Sequence, residues 1–465
     1  MKHDWFAFFL VLVMVGCASE PEPTPGPPNI LLIFTDDQGY ADLGSYGGTH
    51  VRTPALDELA AEGVRFTRFR VAQAVCSASR AALLTGNYPN RLGIRGALGP
   101  GAEHGLPREA ATVAELLSAA GYQSHMIGKW HLGSRPGFLP TDRGFSSYYG
   151  IPYSHDMWKG HPEAHMRRYF PQRVPLLRDS MVADSLSDFT TLTGDYNREA
   201  LRLLNDHDPT AGPLFLYLAH SLPHVPLYED STYGPTTGLG LYADVIAEID
   251  RGVADLRALL EKKGMAGNTL IVYTSDNGPW LSYGDHAGQT GGLREGKGTS
   301  FEGGVRVPLI TYLPGRTKAG TVSDAPLMSI DLLPSLVTLT GATPPDGSVD
   351  GYDRLDDFLG QTAGPSPAPY AVYWLDGLDA VVSPSGRWKL HLPHRFRSLD
   401  PAAEPAHDGY PTRYFQDSIG LSLFDLNADP GETTDVSAAH PDTLRLLLSA
   451  AEDFRQQLGD SHTAQ

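Results

Sequence analysis

Cysteine is nearly absent from this chain. Its 465 residues include two, Cys17 and Cys76, and two thiols with separate roles leave no disulfide framework. Basic charge is also scarce: 36 Lys and Arg stand against 54 Asp and Glu, a formal net charge of −18. Nucleic acid is excluded as a partner because phosphate binding needs a basic face. Any anion site must therefore be local. Long apolar runs are missing too: Phe6 to Val15 is unbroken but spans only ten residues, too few to cross a bilayer. There is no internal repeat and no Walker spacing.

At 465 residues the chain can bury a large core. Fifty glycines and 37 prolines imply many loops. The short apolar run after Lys2 fits a signal-peptide core covering residues 1–16. Met14-Val15-Gly16-Cys17 resembles a bacterial lipobox, which makes Cys17 a lipidation site. Ser19 to Pro28 reads as a proline-rich tether. The expectation is export to a bacterial periplasm or envelope, with membrane attachment through a lipid anchor only.

Asn29 to Thr35 is a continuous apolar run with β-branched members, the pattern of a buried central strand. Further strands are expected at 123–127, 214–218, 269–274 and 307–313. Helices are expected at 55–62, capped by Thr53 with Pro54 at its first turn, and at 113–120 and 241–263. Alternating strands and helices predict an α/β fold, a large mixed and mostly parallel sheet sandwiched by helices. It should occupy residues 29–345. From about Gly341 the texture changes, and residues 346–465 read as a smaller α+β domain with a small antiparallel sheet and a terminal helix.

Polar groups cluster where these strands end. Asp36-Asp37, Lys129 with His131, His224, and Asp276-Asn277 all follow predicted strands, at the edge where open α/β sheets bind ligands. Asp36, Asp37, Asp276 and Asn277 supply oxygen only, which favours a hard cation such as Ca²⁺ over Zn²⁺. Arg80, Lys129, His131, His224 and Lys297 form a cationic set. Lys297 sits in the glycine-rich stretch 296–306. Cys76 opens a short helix, and Arg80 follows at i+4 on the same face. Unpaired N–H groups there favour negative charge. A buried core cysteine is the competing interpretation of that stretch alone.

Cys76-Ser77-Ala78-Ser79-Arg80, followed by Leu84-Thr85-Gly86, resembles the Cys-x-Pro-Ser-Arg signature of type I sulfatases in the alkaline-phosphatase superfamily. Ala78 replaces the usual proline, a form found among bacterial members. The resemblance runs from Asn29 to the Pro430-Gly431-Glu432 segment. Residues 128–133 and 150–156 look like the arylsulfatase A branch. It implies oxidation of Cys76 to formylglycine by a maturation enzyme, and one Ca²⁺ on Asp36, Asp37, Asp276, Asn277 and the modified Cys76. It further implies sulfate binding by Lys129, Lys297 and Ser154, with Arg80 and His131 supporting the aldehyde hydrate and His224 facing the substrate. The expected activity is sulfate monoester hydrolysis on an aryl or carbohydrate sulfate. The alternatives are a phosphodiesterase or phosphonate monoester hydrolase of the same superfamily, or an unconverted glycan-binding relative.

Overall fold

The computed structural model describes Met1 and residues 26–463 apart from Pro162, Pro235 and Ser348. The signal segment, Cys17 and most of the tether lie outside the described residues. Among those described, a ten-stranded sheet runs through the larger part of the molecule. At its centre the Asn29–Thr35 strand pairs in parallel with Leu214–Ala219 on one side and Thr269–Ser275 on the other. Gln123–Gly128 and Ser147–Gly150 extend the parallel array.

On both sides the next pairing turns antiparallel, and on one side Val64–Phe66 and Thr321–Ser323 then close the edge as a parallel pair. Leu309–Tyr312 runs against Thr269–Ser275, and Val174–Arg178 with Met181–Leu186 completes the far side. The 307–313 expectation thus holds as a shorter strand of reversed direction.

The central strand explains the layering. Its side chains alternate between faces: Ile30, Leu32 and Phe34 enter one hydrophobic core, and Leu31 and Ile33 the other. The first core is closed by the Cys76–Thr85, Val113–Ala119 and Leu332–Thr340 helices. The second is closed by Pro54–Glu62, Leu192–Asp206 and Leu241–Lys262. With both faces covered, the strand can be apolar throughout and Ile33 is fully buried.

Local chemistry sets the helix ends. The Thr112 hydroxyl accepts from the Glu115 N–H while the Glu115 carboxylate accepts from the Thr112 N–H, a reciprocal cap. The Cys76 helix ends on Gly86 at φ 68°, a left-handed residue where glycine carries no steric cost.

The C-terminal part contributes a four-stranded antiparallel sheet ordered Tyr370–Trp374, Gly377–Val382, Trp388–His391, Ser422–Asp425. The Pro441–Leu458 helix packs against it through Leu447 and Ala451. A separate hairpin, His394–Leu399 with Tyr414–Ile419, projects back toward the main sheet's C-terminal edge.

Candidate active site

Four strands of the main sheet end on the groups the site needs. Asp36 and Asp37 follow Asn29–Thr35, Lys129 follows Gln123–Gly128, and Asp276 and Asn277 follow Thr269–Ser275. His224 lies in the loop after Leu214–Ala219. Their side chains converge on the start of the Cys76 helix.

Three carboxylates and three cations alternate there, all buried. The Lys129 ammonium donates to Asp36. Lys297 Nζ lies 2.7 Å from Asp37 Oδ1. Arg80 Nη2 donates to Asp276 Oδ2 at 2.8 Å, and its Nη1 to the Lys129 carbonyl at 2.8 Å. The mutual repulsion expected of the three acids is therefore largely met by side-chain cations. Burial and neighbouring Asp36 still push the Asp276 carboxyl up to about 7. Buried ion pairs cost desolvation and seldom add stability over apolar packing, so a concentration like this one points to function.

Cys76 Sγ donates to Asp36 Oδ1 at 3.5 Å. Burial, then Asp36, pushes its thiol well up, and these outweigh Lys129 and Lys297. An unmodified thiol there stays protonated and is a poor nucleophile. Arg80 shares the helix face as expected, yet its guanidinium pairs with the acids. Its link to position 76 runs through Asp36, 3.5 Å from Nη2.

The histidines separate by role. His131 Nε2 donates to the Leu98 carbonyl at 2.8 Å, leaving Nδ1 as a lone-pair acceptor with no partner. Burial, then Lys129 and Arg80, holds it well below the usual range and so neutral. It and Asp37 adopt left-handed backbone, φ 60° and 65°, costs tolerated mainly where function demands the geometry. His224 Nδ1 lies 2.6 Å from the Val225 carbonyl, and its Nε2 3.6 Å from Asp37 Oδ2. His220 is buried and takes no part in the cavity lining.

The same geometry bears on a metal. Asp36, Asp37, Cys76 and His224 each offer a ligand atom, and these lie within 4.8 Å of one another. His224 thus lies within reach of a donor set expected to hold oxygen alone. Asn277 Nδ2 donates to Asp37 Oδ1 at 2.7 Å, while its Oδ1 is buried with no partner. A buried orphan acceptor beside three carboxylates suits a hard cation.

A cavity of about 360 Å³ opens above this floor. Cys76, His131, Ser154, His224 and Lys297 line its base, and Met157, Phe170, Trp280, Trp374 and Arg397 its outer wall. Trp130 and Leu132, between the two predicted functional residues, are core packing. The sequence reading missed Trp280, Trp374 and Arg397. Trp280 lies three residues beyond Asn277, with Lys297 Nζ 4.5 Å from its ring centroid. Trp374 and Arg397 come from the C-terminal domain, where no motif marks them.

Fold and floor together define a hydrolase of α/β architecture for an anionic ester, with cations, a helix N-terminus and a buried residue 76 at one point. The chain belongs to the sulfatase family, whose model matches residues 28–342, and it is a sulfuric ester hydrolase. It is 38% identical over 472 residues to arylsulfatase A of Bos taurus, covering 94% of this chain and 91% of that protein. It is 35% identical over 482 residues to N-acetylgalactosamine-6-sulfatase of Sus scrofa, covering 97% and 90%. A crystal structure of a sulfatase from Pseudoalteromonas sp. superposes with a TM-score of 0.80 at 26% identity, over 94% of this chain and 92% of that one.

Proposed function

We propose that this enzyme cleaves sulfate monoesters of sugars, using formylglycine made from Cys76 and one Ca²⁺, at the envelope of a bacterial cell. The observation that carries the reading is the floor itself: Cys76 is seated on Asp36, which Lys129 also holds, with Lys297 on the neighbouring Asp37. A relative named for N-acetylgalactosamine 6-sulfate and a 29% identical structure solved with a neocarrahexaose support the substrate class.

Asp36, Asp37, Asp276 and Asn277 would hold the cation, which supplies positive charge at the attacking oxygen. Conversion of Cys76 supplies a hydrated aldehyde, a nucleophile that the protonated thiol is not. Lys129 and Lys297 would bind the sulfonyl oxygens, and Ser154, whose Oγ has no partner, lies in the same wall. Charge fixed in place before the reaction is worth most in a water-poor cleft. His131 Nδ1, an unpartnered acceptor, would take a proton from position 76 during sulfate release. His224 and Lys297 reach the cavity where the alcohol departs, and we assign the proton transfer to His224, which must first gain a proton on Nε2 because its Nδ1–H is held by the Val225 carbonyl. Anchoring through Cys17 rests on the lipobox-like Met14–Cys17 segment.

Assays of sulfate and phosphate esters side by side test this reading. Turnover of sugar sulfates with negligible phosphate diester cleavage is expected; the reverse would return the enzyme to the phosphodiesterase alternative.

A further inference from the structure

Arg397 reaches the cavity from the His394–Leu399 strand of the C-terminal domain. Its Nε donates to the Lys297 carbonyl at 3.0 Å, and Nη2 donates to the same oxygen. The guanidinium lies against Gly298, where an added Cβ would come within 2.6 Å of Cζ. The rings of Tyr414 and Trp280 face it, with centroids 4.7 and 5.7 Å from Cζ. This is a built seat, made by a glycine, a carbonyl and two aromatic faces.

Glu295 feels its charge, but from beyond ion-pair distance. Lys129, Lys297 and Arg80 each contact a carboxylate. Among the described residues Arg397 has none within ion-pair distance, and its Nη1 has no hydrogen-bond partner. A half-buried guanidinium with spare donors favours a planar anion with oxygen acceptors. The Asp156 and Glu163 side chains, which line the cavity from another segment, would repel such a group. An anion in the outer cavity is drawn toward Arg397 and away from those two carboxylates.

We propose that Arg397 determines specificity by binding a second anionic group, a sulfate or a carboxylate, on the sugar whose first sulfate is cleaved. The inference rests on the sugar-sulfate reading above. It deepens that reading from sugar sulfates to sugars carrying two acidic groups.

The test compares kcat/KM of the matured enzyme on four substrates: a monosulfated hexosamine, its disulfated form, a monosulfated hexosamine linked to a uronic acid, and nitrophenyl sulfate. At least one doubly acidic sugar should be favoured over the monosulfated one by about tenfold, mainly through KM. Which one is favoured tells sulfate from carboxylate. In Arg397→Gln that ratio should fall toward one, while Arg397→Lys keeps part of it. Arg397→Gln also releases the Lys297 carbonyl and will slow every substrate, so the ratio between sugars is the readout. If the variant does not fold, the wild-type preference should still shrink as salt rises. A wild type with no preference for a second anion, or a preference untouched by Arg397→Gln or by salt, overturns the proposal. Turnover of nitrophenyl sulfate with none of any sugar sulfate sinks the sugar reading first, and this inference with it.

Discussion

Lys297 Nζ bonds both carboxylate oxygens of Asp37, at 2.7 and 2.8 Å, so one lysine serves the cavity and the metal-donor set at once. Removing one partner of a buried pair leaves an uncompensated charge and typically costs about 3–5 kcal/mol. A cation beside Asp37 would offset part of that loss. Lys297→Ala should therefore lower Tm more in chelator than in Ca²⁺, measured by thermal unfolding in both. Chelation alone should also reduce wild-type activity, with Ca²⁺ restoring it. An equal Tm loss in both buffers would mean that Asp37 holds no cation.

His224 and Lys129 should differ by leaving group. Nitrophenolate departs almost unaided, whereas a sugar alkoxide needs a proton, and general acid assistance is worth about 10²–10⁴-fold. His224→Ala should thus slow sugar sulfates far more than nitrophenyl sulfate, and Lys129→Ala should slow both alike. Measured kcat/KM for both variants on both substrates decides it. Equal losses in His224→Ala would transfer the acid role to Lys297.

Glu248 provides a stability test away from the site. It is fully buried on the Leu241–Lys262 helix, and its Oε1 has no partner. Burial, with added repulsion from Asp230 and Glu229, pushes its carboxyl up to about 8. An unfolded glutamate titrates near 4.3. Between those values the folded protein keeps a proton that the unfolded chain releases, so stability falls as pH rises from about 5 to about 8. Glu248→Gln should raise Tm at the upper end and change it little at the lower end. A pH-independent difference would contradict the buried-acid account.

The parts of this molecule that were legible in sequence share one property: a local signal. The central strands are unbroken apolar runs because helices cover both faces, and the polar residues ending them mark the site edge. The exposed Met181–Leu186 margin carries no burial pattern, so nothing in its composition announces a strand. The Leu192–Asp206 helix, with Leu192, Tyr196, Ala200 and Leu204 buried, carries a helical period that its many polar residues obscure. Arg397 and Trp374 could not be placed from local pattern. They reach the cavity only through domain packing, from 100 residues beyond Lys297 in the case of Arg397.

The proposed anchor makes a prediction of its own. Cys17→Ser should release the enzyme from the membrane fraction or leave an uncleaved precursor, as judged by detergent partitioning and by the mature N-terminus. Unchanged partitioning of that variant would remove the lipid from the account.

Residue 76 decides the central claim. Trypsin cleaves after Arg70 and Arg80, so one peptide, Val71 to Arg80, carries the position. Its mass, taken from a preparation of known specific activity, should show the aldehyde in place of the thiol. The converted fraction should rise and fall with activity across preparations, and Cys76→Ser should not turn over. A fully active preparation in which that peptide carries only unmodified cysteine would contradict the account.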